Sequence, residues 1–300
     1  MNDFRGVFPA IITPMTSDGE LNEAAFREVM EFDIRAGVHG FWIAGGTGES
    51  IFLTDEENNK IAEISADQNA GRVKNIMHVG APTTVRAARM AEHAARAGVE
   101  AICCVPPFFY QTSDEAIVEH YRVVGAASDL PLFVYNLPQC TGVEITPRLI
   151  KMIQDRVPQL TGLKHSSLDF ARVRDYNALG LNCLTGSSLL MLPGLTIGSS
   201  GCVDGPPCAV PEWWVEIWNA YQAGDMERAE VAQKRVSAVL PLLTQYSYHA
   251  GVKALVSERL GIECGDPRPP LPALTPEQRD HMREGAVRLG LESVQVDVRA

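Results

Sequence analysis

Lys164 ends the apolar segment Leu160-Thr161-Gly162-Leu163-Lys164. Tyr135 ends another, Leu132-Phe133-Val134-Tyr135, about one strand-helix unit upstream. An amine and a phenol at neighbouring strand ends suit chemistry on a ketone. Desolvation at a strand end disfavours the ammonium form, so a neutral amine nucleophile becomes accessible near neutral pH. Such an amine adds to a keto group and forms a Schiff base, and a tyrosine beside it can shuttle the protons that step needs. The alternative is a snorkelling or salt-bridged lysine with no chemical role. Two glycine-bearing segments accompany the pair. Gly45-Gly46-Thr47-Gly48-Glu49 offers backbone N–H groups and the Thr47 hydroxyl, a set suited to a carboxylate, or else forms a simple tight turn. No Gly-Lys-Ser/Thr follows it, so it does not fit a phosphate loop. The other segment is Gly186-Ser187-Ser188.

These residues sit at the ends of short apolar runs that alternate with helical patterns. The runs are 8–13, 40–44, 75–79, 101–105, 132–135, 160–164, 182–186 and 201–204. Helical spacing follows at 21–36, from Thr54 with Glu57 three residues on, and at about 84–97, 147–155, 170–179 and 189–197. Eight such units predict an α/β chain folded as a (β/α)8 TIM barrel, with a doubly wound open sheet as the alternative. Further helical patterns at about 212–223, 226–246, 251–260 and 275–289 exceed what barrel closure needs. The expected division is a barrel core over 1–210, then closing helices and a C-terminal helical extension over 211–300. The Pro-rich stretch 266–272 reads as a stiff surface connector. In a barrel the carboxyl ends of the strands converge, which brings the Gly-rich loop, Tyr135, Lys164 and Gly186 together.

The 300-residue chain carries a formal charge of −11, so it offers no basic face for nucleic acid or an anionic membrane. Its 46% hydrophobic and 21% charged residues are ordinary for a globular protein. No apolar run is long enough to span a bilayer, and Met1-Asn2-Asp3-Phe4-Arg5-Gly6 has no signal-like or basic leader. Seven cysteines without a Cys-x-x-Cys pair argue against a disulfide framework and a zinc site, and fit reduced thiols in the cytoplasm. No His/Asp/Glu cluster argues for a metal. Trp213, Trp214 and Trp218 read as packing anchors, Cys103 and Cys104 as buried strand thiols, and His78 and His165 as strand-end residues within reach of a substrate.

Gly-Gly-Thr-Gly-Glu at 45–49, Tyr-Asn-Leu-Pro at 135–138 and Gly-Leu-Lys at 162–164, in this order, resemble the dihydrodipicolinate synthase/N-acetylneuraminate lyase family. The resemblance runs from Gly6 to the Pro-rich segment near Arg268. It implies a Schiff-base enzyme acting on pyruvate or another 2-oxo acid, with Lys164 forming the imine, Tyr135 as acid/base, and Thr47 with its loop N–H groups holding the carboxylate. Gly46, Gly186, Ser187, Val203 and Ser166 would line the same pocket. The resemblance also implies a homotetramer built as a dimer of dimers, and no cofactor beyond the covalent imine.

The departures narrow this. The family synthase has two adjacent threonines in the Gly-rich loop, and here the first is Gly46. It borrows a tyrosine from the neighbouring subunit, and here Phe109 is aligned with Tyr110 next to it. It places an arginine two residues after the Pro of Tyr-Asn-x-Pro, and here that residue is Cys140, whose neutral thiol cannot make a bidentate ion pair. Sialic-acid lyases carry an acidic pair after the seventh-strand glycine, where this chain has Ser188 and Leu189. Gly-Ser-Ser at 186–188 looks more like the 4-hydroxy-2-oxoglutarate aldolase and keto-deoxy-sugar dehydratase branches, and leaves room for a deaminase. The expectation is a lyase that cleaves, dehydrates or deaminates a small 2-oxo acid. The alternatives are the synthase with an altered aldehyde site, and a paralogue that binds a 2-oxo acid without turnover.

Overall fold

The computed structural model describes residues 4–291 and 293–294; the ends of the expected 1–210 and 211–300 units, and Met1 to Asp3, lie outside them. Eight strands alternate with helices: β1 (Gly6–Pro9), β2 (Gly40–Ile43), β3 (Lys74–His78), β4 (Ala101–Cys104), β5 (Leu132–Asn136), β6 (Leu160–His165), β7 (Asn182–Thr185) and β8 (Gly201–Asp204). Their order around the sheet is β1-β8-β7-β6-β5-β4-β3-β2, and every neighbouring pair is parallel. The ring closes between β1 and β2, where His39 N–H donates to the Val7 carbonyl (2.9 Å) and Ile11 N–H to the Trp42 carbonyl (3.2 Å). The architecture is a (β/α)8 TIM barrel with C-terminal helices beside it.

Strand alternation divides the core in two. Phe8, Trp42, Ile76, Cys103, Phe133, Leu184 and Val203 fill the barrel interior, while Val7, Phe41, Met77, Cys104, Val134, Leu163 and Cys202 point out to the helices. Aromatic rings form the plug: Phe4 meets Phe133 edge-on at 5.0 Å, and Trp42 meets Phe133 at 6.4 Å and Tyr135 at 5.5 Å. Gly162 makes this packing possible. A Cβ there would lie 2.3 Å from the Asn182 carbonyl and 2.6 Å from the Phe133 ring. The Gly two residues before Lys164 thus leaves room for the plug on which the lysine stands.

Local signals explain most helix boundaries. Thr54 and Glu57 cap Asp55–Asn69 reciprocally, with Glu57 N–H to Thr54 Oγ1 at 3.1 Å and Thr54 N–H to Glu57 Oε2 at 2.8 Å. Three expectations need correction. β1 is shorter than 8–13, because beyond Pro9 only Ala10 pairs, with Trp42, and Thr13 Oγ1 instead donates to the Gly48 carbonyl (2.7 Å). Helix Asp114–Ser128, absent from the periodicity above, links β4 and β5; its β-branched Ile117, Val118 and Val124 are poor helix formers, and their burial overrides propensity. The pattern at 226–246 divides into Met226–Val236 and Val239–Thr244, since Pro241 has no N–H to give and its ring would clash with the Ser237 carbonyl.

Helix Pro211–Gln222 carries Trp213, Trp214 and Trp218, all buried. Fully burying a large apolar side chain contributes about 1.5–3 kcal/mol, so these rings anchor this helix, which packs on β1. Trp214 also donates its indole N–H to the Ser188 carbonyl (3.2 Å), which ties the helix to the segment after β7. Among the described residues no helix is long and apolar enough to cross a membrane.

Candidate active site

The register of β5 on β6 sets Tyr135 beside Lys164. Both side chains point to the interior, at the carboxyl end of the barrel. Lys164 is 4% exposed, and its Nζ lies 4.4 Å from the centre of the Tyr135 ring and 5.3 Å from that of Trp42. Among the described residues no carboxylate forms an ion pair with it. The amine therefore rests on aromatic faces and opens into a cavity of about 800 Å³. Thr47, Tyr135, Lys164, Gly46, Ser166, Gly186, Ser187 and Cys140 all line that cavity.

Two expected residues stand elsewhere. Val203 is fully buried within the barrel interior and is not part of the cavity lining; the next residue, Asp204, is. Tyr110 is 79% exposed, stacked edge-on against Phe109 at 5.0 Å, and also outside the lining. Sequence reasoning missed Asp204, Tyr248 and His249, which line the cavity. The Tyr248 hydroxyl and the Thr47 side chain meet beside Gly205, and burial pushes the Tyr248 phenol well above the usual range. Gly205 makes this pairing possible, because a Cβ there would lie 2.1 Å from the Tyr248 hydroxyl.

The Gly-rich loop is held from behind. Ala44 (φ 50°) and Glu49 (φ 60°) both adopt the left-handed conformation, which costs about 1–2 kcal/mol per non-glycine residue. Glu49 is fixed there by a buried ion pair with Lys253 (2.6 Å) and by the Arg268 N–H (2.7 Å). The loop's N–H groups at Gly46 and Thr47 have no acceptor among the described residues, so they are free to receive an anion. Gly46 has nothing within 4 Å of where a Cβ would be. Its carbonyl pairs with His249 Nε2 at 3.0 Å.

Asn136 organises the strand end next to Tyr135. Its amide donates to Glu144 Oε1 (3.0 Å) and faces His165 Nδ1 (3.1 Å), while its Oδ1 accepts from Ile145 N–H (3.0 Å). His165 Nε2 in turn meets the Asp169 carbonyl at 2.9 Å. That network assigns the proton to Nε2 and leaves His165 neutral and fully engaged, and burial lowers its pKa accordingly. Asp204 accepts from Ser188 N–H (2.9 Å), Ser188 Oγ (3.0 Å) and Gly205 N–H (2.8 Å). Among the described residues no group of three or more His, Cys, Asp or Glu is arranged to hold a metal ion. Cys103 and Cys104 are buried, and burial raises both thiols.

Gly186 is required by Ser166. A Cβ on Gly186 would lie 1.8 Å from Ser166 Oγ and 2.8 Å from Ser166 Cβ, and that Oγ is buried without a hydrogen-bond partner. Gly186→Ala is expected to destabilise the fold by about 1–3 kcal/mol through overpacking. Adding Ser166→Gly removes both close contacts and should recover most of the loss, read as the urea midpoint. No recovery in the double variant would show that the clash lies elsewhere.

Burial, followed by the Lys164 charge, pushes His78 down to about 4, and burial pushes His120 down to about 4. In the unfolded chain an imidazole titrates near 6.5, so the unfolded state binds protons first as pH falls. The contribution of these neutral histidines is present above about pH 6.5 and is lost on the way to about pH 4. The unfolding free energy read from urea titrations should drop across that window, by up to roughly 3 kcal/mol per histidine. His78→Gln should flatten the slope by about one proton. An unchanged slope would mean that His78 is not neutral in the folded protein.

The profile of the Dihydrodipicolinate synthetase family matches residues 3–287. The chain is 35% identical to an uncharacterised DapA-like lyase of Halobacterium salinarum over 289 residues, covering 95% of this chain and 94% of that one. It is 30% identical to the 4-hydroxy-tetrahydrodipicolinate synthase of Syntrophus aciditrophicus, covering 96% and 99%. The solved structure of a catalytic-lysine mutant of Ruminococcus gnavus sialic acid aldolase superposes with a TM-score of 0.92, at 25% identity and 97% coverage of each chain. With the match spanning the barrel, the Gly-rich loop and the lysine strand alike, the chain belongs to the dihydrodipicolinate synthetase family and is a lyase of that family's Schiff-base-forming kind.

Proposed function

We propose that Lys164 attacks the keto carbon of a small 2-oxo acid and carries it as an imine through a lyase reaction. The observation that carries this is the position of its Nζ: 4% exposed as a residue, laid on the Tyr135 and Trp42 rings, and facing the cavity. The amine adds to C2, the carbinolamine oxygen takes a proton and leaves as water, and the protonated imine becomes an electron sink for C3. When the C4 hydroxyl loses its proton, the C3–C4 bond breaks, an aldehyde leaves and an enamine remains. Protonation at C3 and hydrolysis return pyruvate and the free lysine. If C3 of the intact imine loses a proton instead, the resulting enamine expels a C4 hydroxyl as water, or a C4 amino group as ammonia, once the leaving group has taken up a proton, which gives dehydration or deamination. Tyr135 moves the protons, and the Gly46 and Thr47 N–H groups with the Thr47 hydroxyl hold the carboxylate.

Incubation with pyruvate and borohydride, then peptide mapping by mass spectrometry, tests this. A reduced adduct on Lys164 is expected; an adduct on another lysine, or none with any 2-oxo acid, would remove Lys164 from the reaction. We further propose that the protein works in the cytoplasm as a homotetramer, a dimer of dimers. The paired rings of Phe109, 86% exposed, and Tyr110 support a subunit contact there. Light scattering should give the mass of four chains.

A further inference from the structure

The cavity of about 800 Å³ is far larger than a three-carbon acid needs, so most of it serves the rest of the substrate. Its outer wall is built from Phe52, Phe108, Leu137, Phe170, Leu190 and Leu271. They come from separate segments of the chain, and each leaves part of its surface accessible to the cavity. Apolar surface left open in this way gains free energy only when something apolar covers it. The wall is continuous with the Lys164 end of the cavity, so its occupant is the distal part of the molecule held by the lysine.

Charge points the same way. Among the described residues Lys164 is the one lysine or arginine in the lining. The carboxylates there are Glu49, whose charge Lys253 already matches at 2.6 Å, and Asp204, which already accepts three hydrogen bonds. A second carboxylate on the substrate would meet these and no fixed cation once Lys164 is an imine. Several polar side chains of the wall are also engaged. Gln139 Nε2 donates to the Ser166 carbonyl (2.7 Å), Ser167 Oγ donates to Glu144 Oε2 (3.1 Å), and His249 Nε2 pairs with the Gly46 carbonyl. Ser166 Oγ is a buried hydroxyl of the lining without a partner, so a tail with more hydroxyls than it can pair would have to displace those bonds to satisfy the rest.

We infer that the substrate's tail, beyond its 2-oxo acid head, is an uncharged alkyl or aryl group bound against this wall. The inference rests on Lys164 forming the imine, and it adds the chemical class of what the imine carries. The test reads binding through the imine itself and so does not depend on which bond is later broken. The full-length protein is titrated with 2-oxo acids in the presence of cyanoborohydride, and the half-saturating concentration for trapping at Lys164 is measured. The series is pyruvate, 2-oxobutanoate, 2-oxopentanoate, 2-oxohexanoate, 4-phenyl-2-oxobutanoate, 2-oxoglutarate and a polyhydroxylated 2-oxo acid.

Each buried methylene is worth about fourfold in affinity. The half-saturating concentration should fall by about that factor per carbon from pyruvate to 2-oxohexanoate. 2-Oxoglutarate and the polyhydroxylated acid should each need at least about tenfold more than 2-oxohexanoate. Leu168 lines the cavity at its rim and is 91% exposed, so Leu168→Arg should fold normally; it should tighten 2-oxoglutarate relative to 2-oxohexanoate. If pyruvate traps on Lys164 while chain length has no effect, or while the charged or polyhydroxylated tail binds best, the inference is overturned and the Lys164 imine stands. If pyruvate does not trap on Lys164, the imine assignment fails and the inference fails with it.

Discussion

Lys164→Ala is expected to lower turnover by at least roughly 10⁴-fold and to leave the barrel folded. The size follows from what is removed: without the amine no covalent path exists, and only positioning by the rest of the site remains. Lys164→Arg should fail equally, because a guanidinium stays protonated and cannot add to a ketone. The fold survives because the lysine holds little of it. Its Nζ has no ion-pair partner among the described residues, and its contacts are the faces of Trp42 and Tyr135. Such cation–π contacts are worth about 0.5–2 kcal/mol, which a domain of this size tolerates. The space left by truncation adjoins the open cavity and fills with water. The measurement is kcat on the best 2-oxo acid substrate alongside thermal unfolding. A variant that keeps more than about a hundredth of wild-type kcat, with unchanged Tm, would require another nucleophile.

Much of this site could be read before the fold was known, for physical reasons. A lysine closing an apolar strand is conspicuous because burial of its charge needs compensation or a use. Eight apolar runs with helical spacing between them imply that all strand ends share one rim, so Lys164, Tyr135, Thr47 and Gly186 could be grouped from separations of up to 139 positions. Strand parity could not be resolved to one residue in the same way. Val203 and Asp204 are neighbours at the end of β8, and only the observed pleat shows that Val203 belongs to the plug and Asp204 to the rim. Tyr248 and His249 were invisible for another reason. They open helix Tyr248–Leu260, whose return over the barrel mouth is a tertiary event with no local signature. Cys140 is the opposite case: the resemblance, which aligns it with the synthase's arginine, points to the wall, and the structure has it in the lining.

Tyr135→Phe is expected to reduce kcat by roughly 10²–10⁴-fold, the range spanned by general acid–base catalysis, with a much smaller change in substrate binding. The substitution isolates the hydroxyl. The ring is 6% exposed and is wedged edge-on against Trp42 at 5.5 Å and His78 at 6.4 Å, all of which a phenylalanine reproduces. Lys164 Nζ stays over the same ring face, so the nucleophile keeps its position. Among the described residues the hydroxyl makes no hydrogen bond within the protein, so its loss leaves no buried partner unsatisfied. What disappears is a proton donor and acceptor at the reacting end of the cavity. The other groups nearby do not replace it. His78 is pushed down to about 4 by burial, so near pH 7 it is a neutral imidazole, too weak an acid and too weak a base to take over the proton transfer. Tyr248 is the remaining phenol in the lining, and its hydroxyl lies beside the Thr47 side chain, at the carboxylate end of the cavity. The diagnostic split is therefore kcat against KM in Tyr135→Phe, beside Tyr248→Phe. If Tyr135→Phe retains near-full kcat while Tyr248→Phe loses it, the proton travels through the Thr47–Tyr248 pair, and Tyr135 serves only as the surface on which Lys164 rests.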